Sequence, residues 1–254
     1  MNILISNDDG INAPGINVLV NRLKQDGHTI NVIAPDSNRS AVSNHLTMYK
    51  EHKLTKIDDT VFAHTGYPAD CIFTGVKSDL LENVDVIISG INKGGNMGTD
   101  IIYSGTCAVA RQGVIFGIPS IALSVEPVNR GQPESDYKYD ALADFAAKNL
   151  TQLIKMAKTD FPQAFVNVNA LSIDKYKGVK ITDKTNFRYY GDRVKIIHEK
   201  DNQYKTQFIF GGGENEIVEE NTDLYYCNQG FISIARINAC PNCAEIVDDI
   251  EFKL

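Results

Sequence analysis

Two adjacent carboxylates stand where a short apolar run stops. Asn2 to Ile5 is followed by Ser6-Asn7-Asp8-Asp9-Gly10 and then by Ile11-Asn12-Ala13-Pro14-Gly15. The run reads as a buried strand, and Asn, Asp and Gly are the residues of the turn that ends it. In an open α/β sheet the carboxyl ends of strands border the ligand crevice. Two acids placed there raise one another's pKa unless a cation lies between them. Oxygen ligands of this kind suit the hard divalent ions Mg²⁺, Mn²⁺ and Ca²⁺. The rival reading of Asn-Asp-Asp-Gly is a bare turn, and the rest of the chain weighs against it.

Ala34 is followed by Pro35-Asp36-Ser37-Asn38-Arg39-Ser40, and Ile88 by Ser89-Gly90-Ile91-Asn92. If these segments also end strands of one sheet, Asp8, Asp9, the Ser40 hydroxyl and the Asn92 amide converge. They then form an all-oxygen cage with positions left for water and substrate. His28, His45, His52, His64 and His198 are scattered, which disfavours a zinc hydrolase centre. Glycines at 94, 95 and 98 allow the backbone to approach a bound group. Ser104-Gly105-Thr106 then opens an Ala-rich helix, whose hydroxyls and free N–H groups make either a plain N-cap or an anion site. Beside a cation, phosphate is its natural occupant. Neither G-x-G-x-x-G nor G-x-x-x-x-G-K-[ST] occurs, so nucleotide binding through those fingerprints is unsupported.

The elements that must position these groups alternate. Ile3–Ile5, Ile30–Ala34, Val84–Ser89 and Ser120–Leu123 read as strands, and Ile16–Leu23, Pro68–Leu81 and Thr106–Phe116 as helices. This order predicts an α/β fold, a Rossmann-like, mostly parallel sheet with helices on both faces. Leu142, Phe145, Ala146, Leu150, Leu153 and Ala157 predict one long helix over 137–158, and Phe165–Val168 a further strand. From Gly178 the pattern changes to short β-runs at Val179–Ile181, Val194–Ile197, Tyr204–Phe210, Leu224–Tyr226 and Phe231–Ile234, with a turn at Gly211-Gly212-Gly213. The chain is thus expected to be one domain over 1–254, with a core at 1–175 and a β-rich C-terminal extension at 176–254. The hairpin strand Tyr204–Phe210 is expected to join a neighbouring subunit, because exposed strands invite pairing.

With 254 residues, 43% of them hydrophobic, the chain can bury a sizeable core. A formal charge of −7 gives no footprint for duplex nucleic acid. No signal peptide or transmembrane run is evident, so a cytoplasmic protein is expected. Five cysteines in this length do not make a secreted disulfide scaffold, and Cys240-Pro241-Asn242-Cys243 supplies half a zinc site at most.

Taken together, N-D-D-G at 7–10, A-P-G at 13–15, A-P-D-x-N-x-S at 34–40, P-x-D-C at 68–71, S-G-I-N at 89–92 and Y-S-G-T at 103–106 resemble the SurE survival-protein nucleotidase family. G-I-P-S at 117–120 and N-V-N at 167–169 are similar in kind. The resemblance implies a metal-dependent acid phosphatase (5′-nucleotidase) acting on nucleoside 5′- or 3′-monophosphates, assembled as a homodimer or homotetramer through C-terminal strands. It implies one divalent ion per subunit on Asp8, Asp9, Ser40 and Asn92, with Asn96, Ser104, Gly105 and Thr106 facing the phosphate. Gln112 stands where the family usually has an acid. For the reaction, a metal-activated water is preferred, with direct attack by Asp8 or Asp9 as the alternative. A broad phosphatase for small phosphomonoesters or short polyphosphate, and a non-catalytic nucleotide-binding regulator, are the other readings. Tyr103 and the aromatics of Phe187-Arg188-Tyr189-Tyr190 are candidate platforms for a base.

Overall fold

A computed structural model describes residues 1–129, 131–188, 191–209 and 217–241. In chain order its first half consists of β1 (Asn2–Ser6), α1 (Pro14–Gln25), β2 (Thr29–Pro35), β3 (Leu54–Asp58), β4 (Val61–His64), α2 (Pro68–Lys77), β5 (Val86–Lys93), α3 (Asp100–Tyr103) and α4 (Gly105–Ile115). The second half adds β6 (Ser120–Glu126), α5 (Asp140–Lys148), α6 (Leu150–Met156), β7 (Ala164–Leu171), β8 (Val179–Thr182), β9 (Arg193–His198), β10 (Tyr204–Ile209), α7 (Asp223–Asn228) and β11 (Ile232–Asn238).

Nine strands form one sheet in the order β3-β4-β2-β1-β5-β6-β7-β11-β8. From β4 to β7 every pairing is parallel; β3 runs against β4 and β11 against β7. The chain leaves β1 toward β2 by way of α1 and later returns to the other side of β1 as β5. The crevice where the strand order reverses therefore opens between the carboxyl ends of β1 and β5. Alternation along β1 divides the core. Ile3 and Ile5 pack with Ile16, Leu19, Leu142 and Leu150 of α1, α5 and α6 on one face. Leu4 packs with Cys71, Ile72 and Val109 of α2 and α4 on the other. Helices thus cover both faces, as the alternation predicts.

Three elements read in the sequence take another form, and the strands β3 and β4 are not read in it at all. The predicted helix over 137–158 is two helices broken at Asn149, whose side-chain amide donates to the Phe145 carbonyl at 2.9 Å and competes with the helical ladder. Leu224–Tyr226 lies in the helix α7, not a strand: Thr222 caps it, its hydroxyl accepting from the Tyr225 N–H at 3.3 Å. The strand read as ending at Ser89 continues to Lys93 through an irregularity between Ser89 and Asn92, which places Asn92 within β5. The C-terminal extension is divided. Its strands β8 and β11 enlarge the main sheet, while β9 and β10 form an antiparallel ribbon of their own. The Gly211-Gly212-Gly213 turn, Tyr189, Tyr190 and Cys243 lie outside the described residues. No helix among the described residues is long and apolar enough to cross a membrane.

Candidate active site

Asn7 makes the turn after β1. Its amide donates to the Gly10 carbonyl at 2.9 Å, and its oxygen accepts from the Gly10 N–H at 3.2 Å. This closed ring fixes the direction of the two aspartates between its ends. The loop after β2 is stitched to the same turn, with the Arg39 N–H donating to the Asp8 carbonyl at 2.7 Å and the Ile11 N–H to the Pro35 carbonyl at 2.8 Å. Ser40 follows Arg39 on the exposed rim, its N–H tied to Asn38 Oδ1 at 3.0 Å. From the other side of the crevice, the Lys93 N–H at the end of β5 donates to Asp9 Oδ2 at 2.9 Å. Its neighbour Asn92 donates its amide nitrogen to the Gly94 carbonyl at 2.7 Å, so Oδ1 is the atom it has to offer a cation.

Asp8 is buried, and it occupies the N-terminus of α4. Its Oδ2 accepts from the Gly105 N–H at 3.0 Å and its Oδ1 from the Thr106 hydroxyl at 2.6 Å. The anion at this helix end is a carboxylate of the chain itself, where free donors and the helix dipole favour negative charge. Glycine is required at 105 for the approach: a Cβ there would lie 2.6 Å from the Asp8 Cβ. Ser104 caps the helix, its Oγ accepting from the Cys107 N–H at 2.9 Å, which leaves its own O–H to donate elsewhere.

Burial holds the Asp8 carboxyl above its ordinary range, against the Thr106 hydroxyl and the helix N–H groups that lower it. Asp9 is pushed up to about 6, by burial first and then by the charge of Asp8. Among the described residues no Lys or Arg forms an ion pair with either; the Lys93 ammonium is bound to Glu134 at 2.9 Å. Two adjacent carboxylates beside an amide oxygen and a rim hydroxyl are a donor set that fits a hard divalent cation. Among the described residues no cluster of three or more His, Cys, Asp or Glu is positioned to hold a metal, so a thiolate- or imidazole-rich centre is not formed. A cleft of about 370 Å³ opens beside Asp9, lined by Asn12, Asp36, Asn38, Lys93 and Glu134. A larger groove of about 960 Å³ runs along α3 and α4 and touches neither aspartate.

Asn96, also buried, belongs to an adjoining cluster. Its N–H donates to Asn169 Oδ1 at 2.8 Å and its amide nitrogen to Ser124 Oγ at 2.8 Å, while its carbonyl accepts from Asn167 and Asn169 at 2.8 and 3.2 Å. Cys107 links this cluster to α4, its thiol donating to Asn167 Oδ1 at 3.7 Å. The sequence reading assigned no role to Ser124, Asn167 or Asn169. Its available signal was the N-V-N of β7, two amides two residues apart in a strand that is otherwise apolar, which must find partners when buried. Gln112 accepts from the Asn44 amide at 3.2 Å and so ties the loop beyond Ser40 to α4. Of the candidate base platforms, Tyr103 and Phe187 are half exposed.

With this geometry in place, the comparisons with known proteins bear on the same residues. The family model described as "Survival protein SurE" matches residues 3–191. The chain is 36% identical over 249 residues to the 5'-nucleotidase SurE of Clostridium beijerinckii, covering 94% of this chain and 93% of that protein. It is 36% identical over 239 residues to the 5'-nucleotidase SurE of Geobacter sulfurreducens, covering 94% and 88%. The crystal structure of the SurE protein from Aquifex aeolicus superposes with a TM-score of 0.80 at 31% identity, covering 95% of both chains. The motifs at both sides of the crevice lie within the matched span, and the chain belongs to the SurE survival-protein family.

Proposed function

We propose that this chain is a metal-dependent 5′-nucleotidase, which hydrolyses nucleoside 5′-monophosphates, and 3′-monophosphates as secondary substrates, to nucleoside and phosphate. The observation that carries this reading is the pair Asp8–Asp9 at the reversal of strand order, with no Lys or Arg ion-paired to it among the described residues. The names of the relatives support the substrate class. Asp8, Asp9, Ser40 and Asn92 are the proposed ligands of one Mg²⁺ or Mn²⁺, with Ca²⁺ as a binder of the same hardness. When bound, the ion supplies charge neutralisation for the phosphoryl oxygens and acidifies water.

The chain's own residues divide the remaining work. Gly105 and Thr106 hold Asp8 in one orientation and favour its ionised form in spite of burial. Ser104 offers its O–H to a phosphoryl oxygen without giving up its cap, and Asn96 faces the same group from the adjoining cluster. Donors fixed in place before the substrate arrives cost no reorganisation when charge builds on the phosphoryl group. The proposed assembly is a homodimer or homotetramer in which the β9–β10 ribbon meets a second copy.

The test is phosphate release from a panel of nucleoside 5′- and 3′-monophosphates, with Mg²⁺ or Mn²⁺ and again with chelator, on the wild type and Asp9→Asn. The expected outcome is release that the metal restores and the variant lacks, at unchanged far-ultraviolet circular dichroism. Release that persists in chelator, or no release with any metal, would refute the proposal.

A further inference from the structure

The glycine-rich segment between β5 and α3 is held from two directions. The main sheet holds its front half: Glu126 Oε2 accepts from the Gly95 N–H at 2.7 Å, and Asn169 from the Asn96 N–H at 2.8 Å. The C-terminal extension holds its rear half. Asp223, at the start of α7 and 1% exposed, accepts the Gly98 N–H on Oδ2 at 2.8 Å. Its other oxygen accepts the N–H groups of Asn186 and Leu224, both at 2.8 Å. Met97 is fully buried against Leu224 and Cys227 of α7. The contact is backbone to backbone at Gly98, where a Cβ would lie 1.6 Å from the Asn186 carbonyl oxygen. Arg188 completes the hold, its N–H on Thr99 Oγ1 at 3.1 Å and its guanidinium on Asp100 at 2.7 Å.

We propose that Asp223 is a positioning residue for the phosphate contact made by Asn96, an assignment that rests on the reading of Asn96 as facing the phosphate. Asn96 lies at the junction of the two holds. Its peptide is fixed on the N-terminal side by β6 and β7, and two residues later by a carboxylate that is 125 positions distant in sequence. A backbone site held by hydrogen bonds at both flanks presents its side chain in one place, which is what a preorganised donor requires. The extension therefore works in the active site without entering it.

Asp223→Asn tests this with little change of shape. Keeping the amide oxygen on Asn186 and Leu224 turns the NH₂ toward the Gly98 N–H, donor against donor, so that one contact is lost selectively. Three readouts are taken: hydrogen exchange of the peptide spanning 94–100, KM for a nucleoside 5′-monophosphate, and calorimetric affinity of Mg²⁺-saturated protein for inorganic phosphate. The expected result is faster exchange in that peptide, with KM and the phosphate dissociation constant both raised about tenfold, the scale of one hydrogen bond to a charged group. The Mg²⁺ activation constant stays unchanged, because the proposed ligands are held by other contacts.

Unchanged exchange overturns the assignment at the clamp. Faster exchange with unchanged KM and phosphate affinity overturns it at the reading of Asn96, and Asn96→Ala with wild-type KM would show that failure independently. Should Asp223→Asn fail to fold, Leu224→Ala, which trims the packing over Met97, carries the same expectation in smaller measure, and wild-type values in it overturn the proposal.

Discussion

At the scale of single residues, the site is organised around the way Asp8 is held. A buried carboxylate is stable as an anion only where donors replace its lost water, and here they are one hydroxyl and the first N–H groups of a helix. Thr106→Val keeps the volume and removes the hydroxyl. It should lower kcat by about 10- to 100-fold, the equivalent of one bond to a charged acceptor, while the fold persists. Steady-state kinetics beside a thermal melt would check it; a variant with wild-type kcat would remove Thr106 from the machinery. Gly105→Ala tests the approach itself. Its Cβ would meet Asp8 Oδ2 at 2.8 Å, so a loss of about 1–3 kcal/mol of stability is expected together with lost activity, measurable by denaturant titration. Asp8 and Asp9 are legible in the sequence because a short apolar run, Ile3–Ile5, stops just before them. The partnership with Thr106 is not, since 98 residues separate the pair and nothing local marks it.

At the scale of elements, β1, β2, β5 and β6 are visible in hydrophobic runs, because a parallel strand buried on both faces has little choice of residue, whereas the exposed, antiparallel β3 and its neighbour β4 are not. Two of the departures occur where a side chain competes with the backbone or caps it. Asn149 breaks a helix that the apolar spacing continues, and the aromatic run Leu224-Tyr225-Tyr226 reads as a strand until Thr222 is seen as a cap. The junction of β4 and α2 carries a pH prediction. His64, 3% exposed, accepts the Gly66 N–H on Nδ1 at 2.8 Å and meets Thr74 Oγ1 through Nε2 at 3.1 Å. The Thr74 hydroxyl donates to the Asp70 carbonyl, so Nε2 carries the proton and the ring is neutral. Burial pushes its pKa below 6.5, His52 adds to this, and Asp70 and Asp36 oppose it. The unfolded chain then binds more protons than the folded one just below pH 6.5, so stability is full above that value and falls as the pH drops toward the folded pKa. The wild-type melting temperature should therefore decline as the pH falls below about 6.5, and His64→Gln should melt lower with a flatter profile. An equal slope in both proteins would assign the decline to other groups.

At the scale of the whole molecule, the ribbon of β9 and β10 is unlike the rest of the chain. Register puts Val194 opposite Phe208, Ile196 opposite Thr206 and His198 opposite Tyr204, so that these six side chains share one face. Val194, Ile196, Tyr204 and Phe208 are each at least half exposed. A two-stranded ribbon is marginal alone in water, and a row of exposed apolar side chains on it is accounted for by burial against another surface. Its exposed strands were readable from the alternation in Tyr204–Phe210, whereas the return of β8 and β11 to the main sheet was not, because edge pairing depends on long-range register. A second copy is the expected partner, and the consequence is separable from catalysis. Asp8, Asp9, Asn92 and the donors that hold them come from one chain, none of them from the ribbon. Val194→Glu with Ile196→Glu should therefore lower the mass seen by light scattering, since like charges facing each other across the contact cost more than the apolar burial returns. Activity per chain should stay within about threefold of wild type, a difference under about 1 kcal/mol in the barrier. An unchanged mass would place the subunit contact elsewhere, and loss of activity in step with mass would mean that a partner chain completes the site.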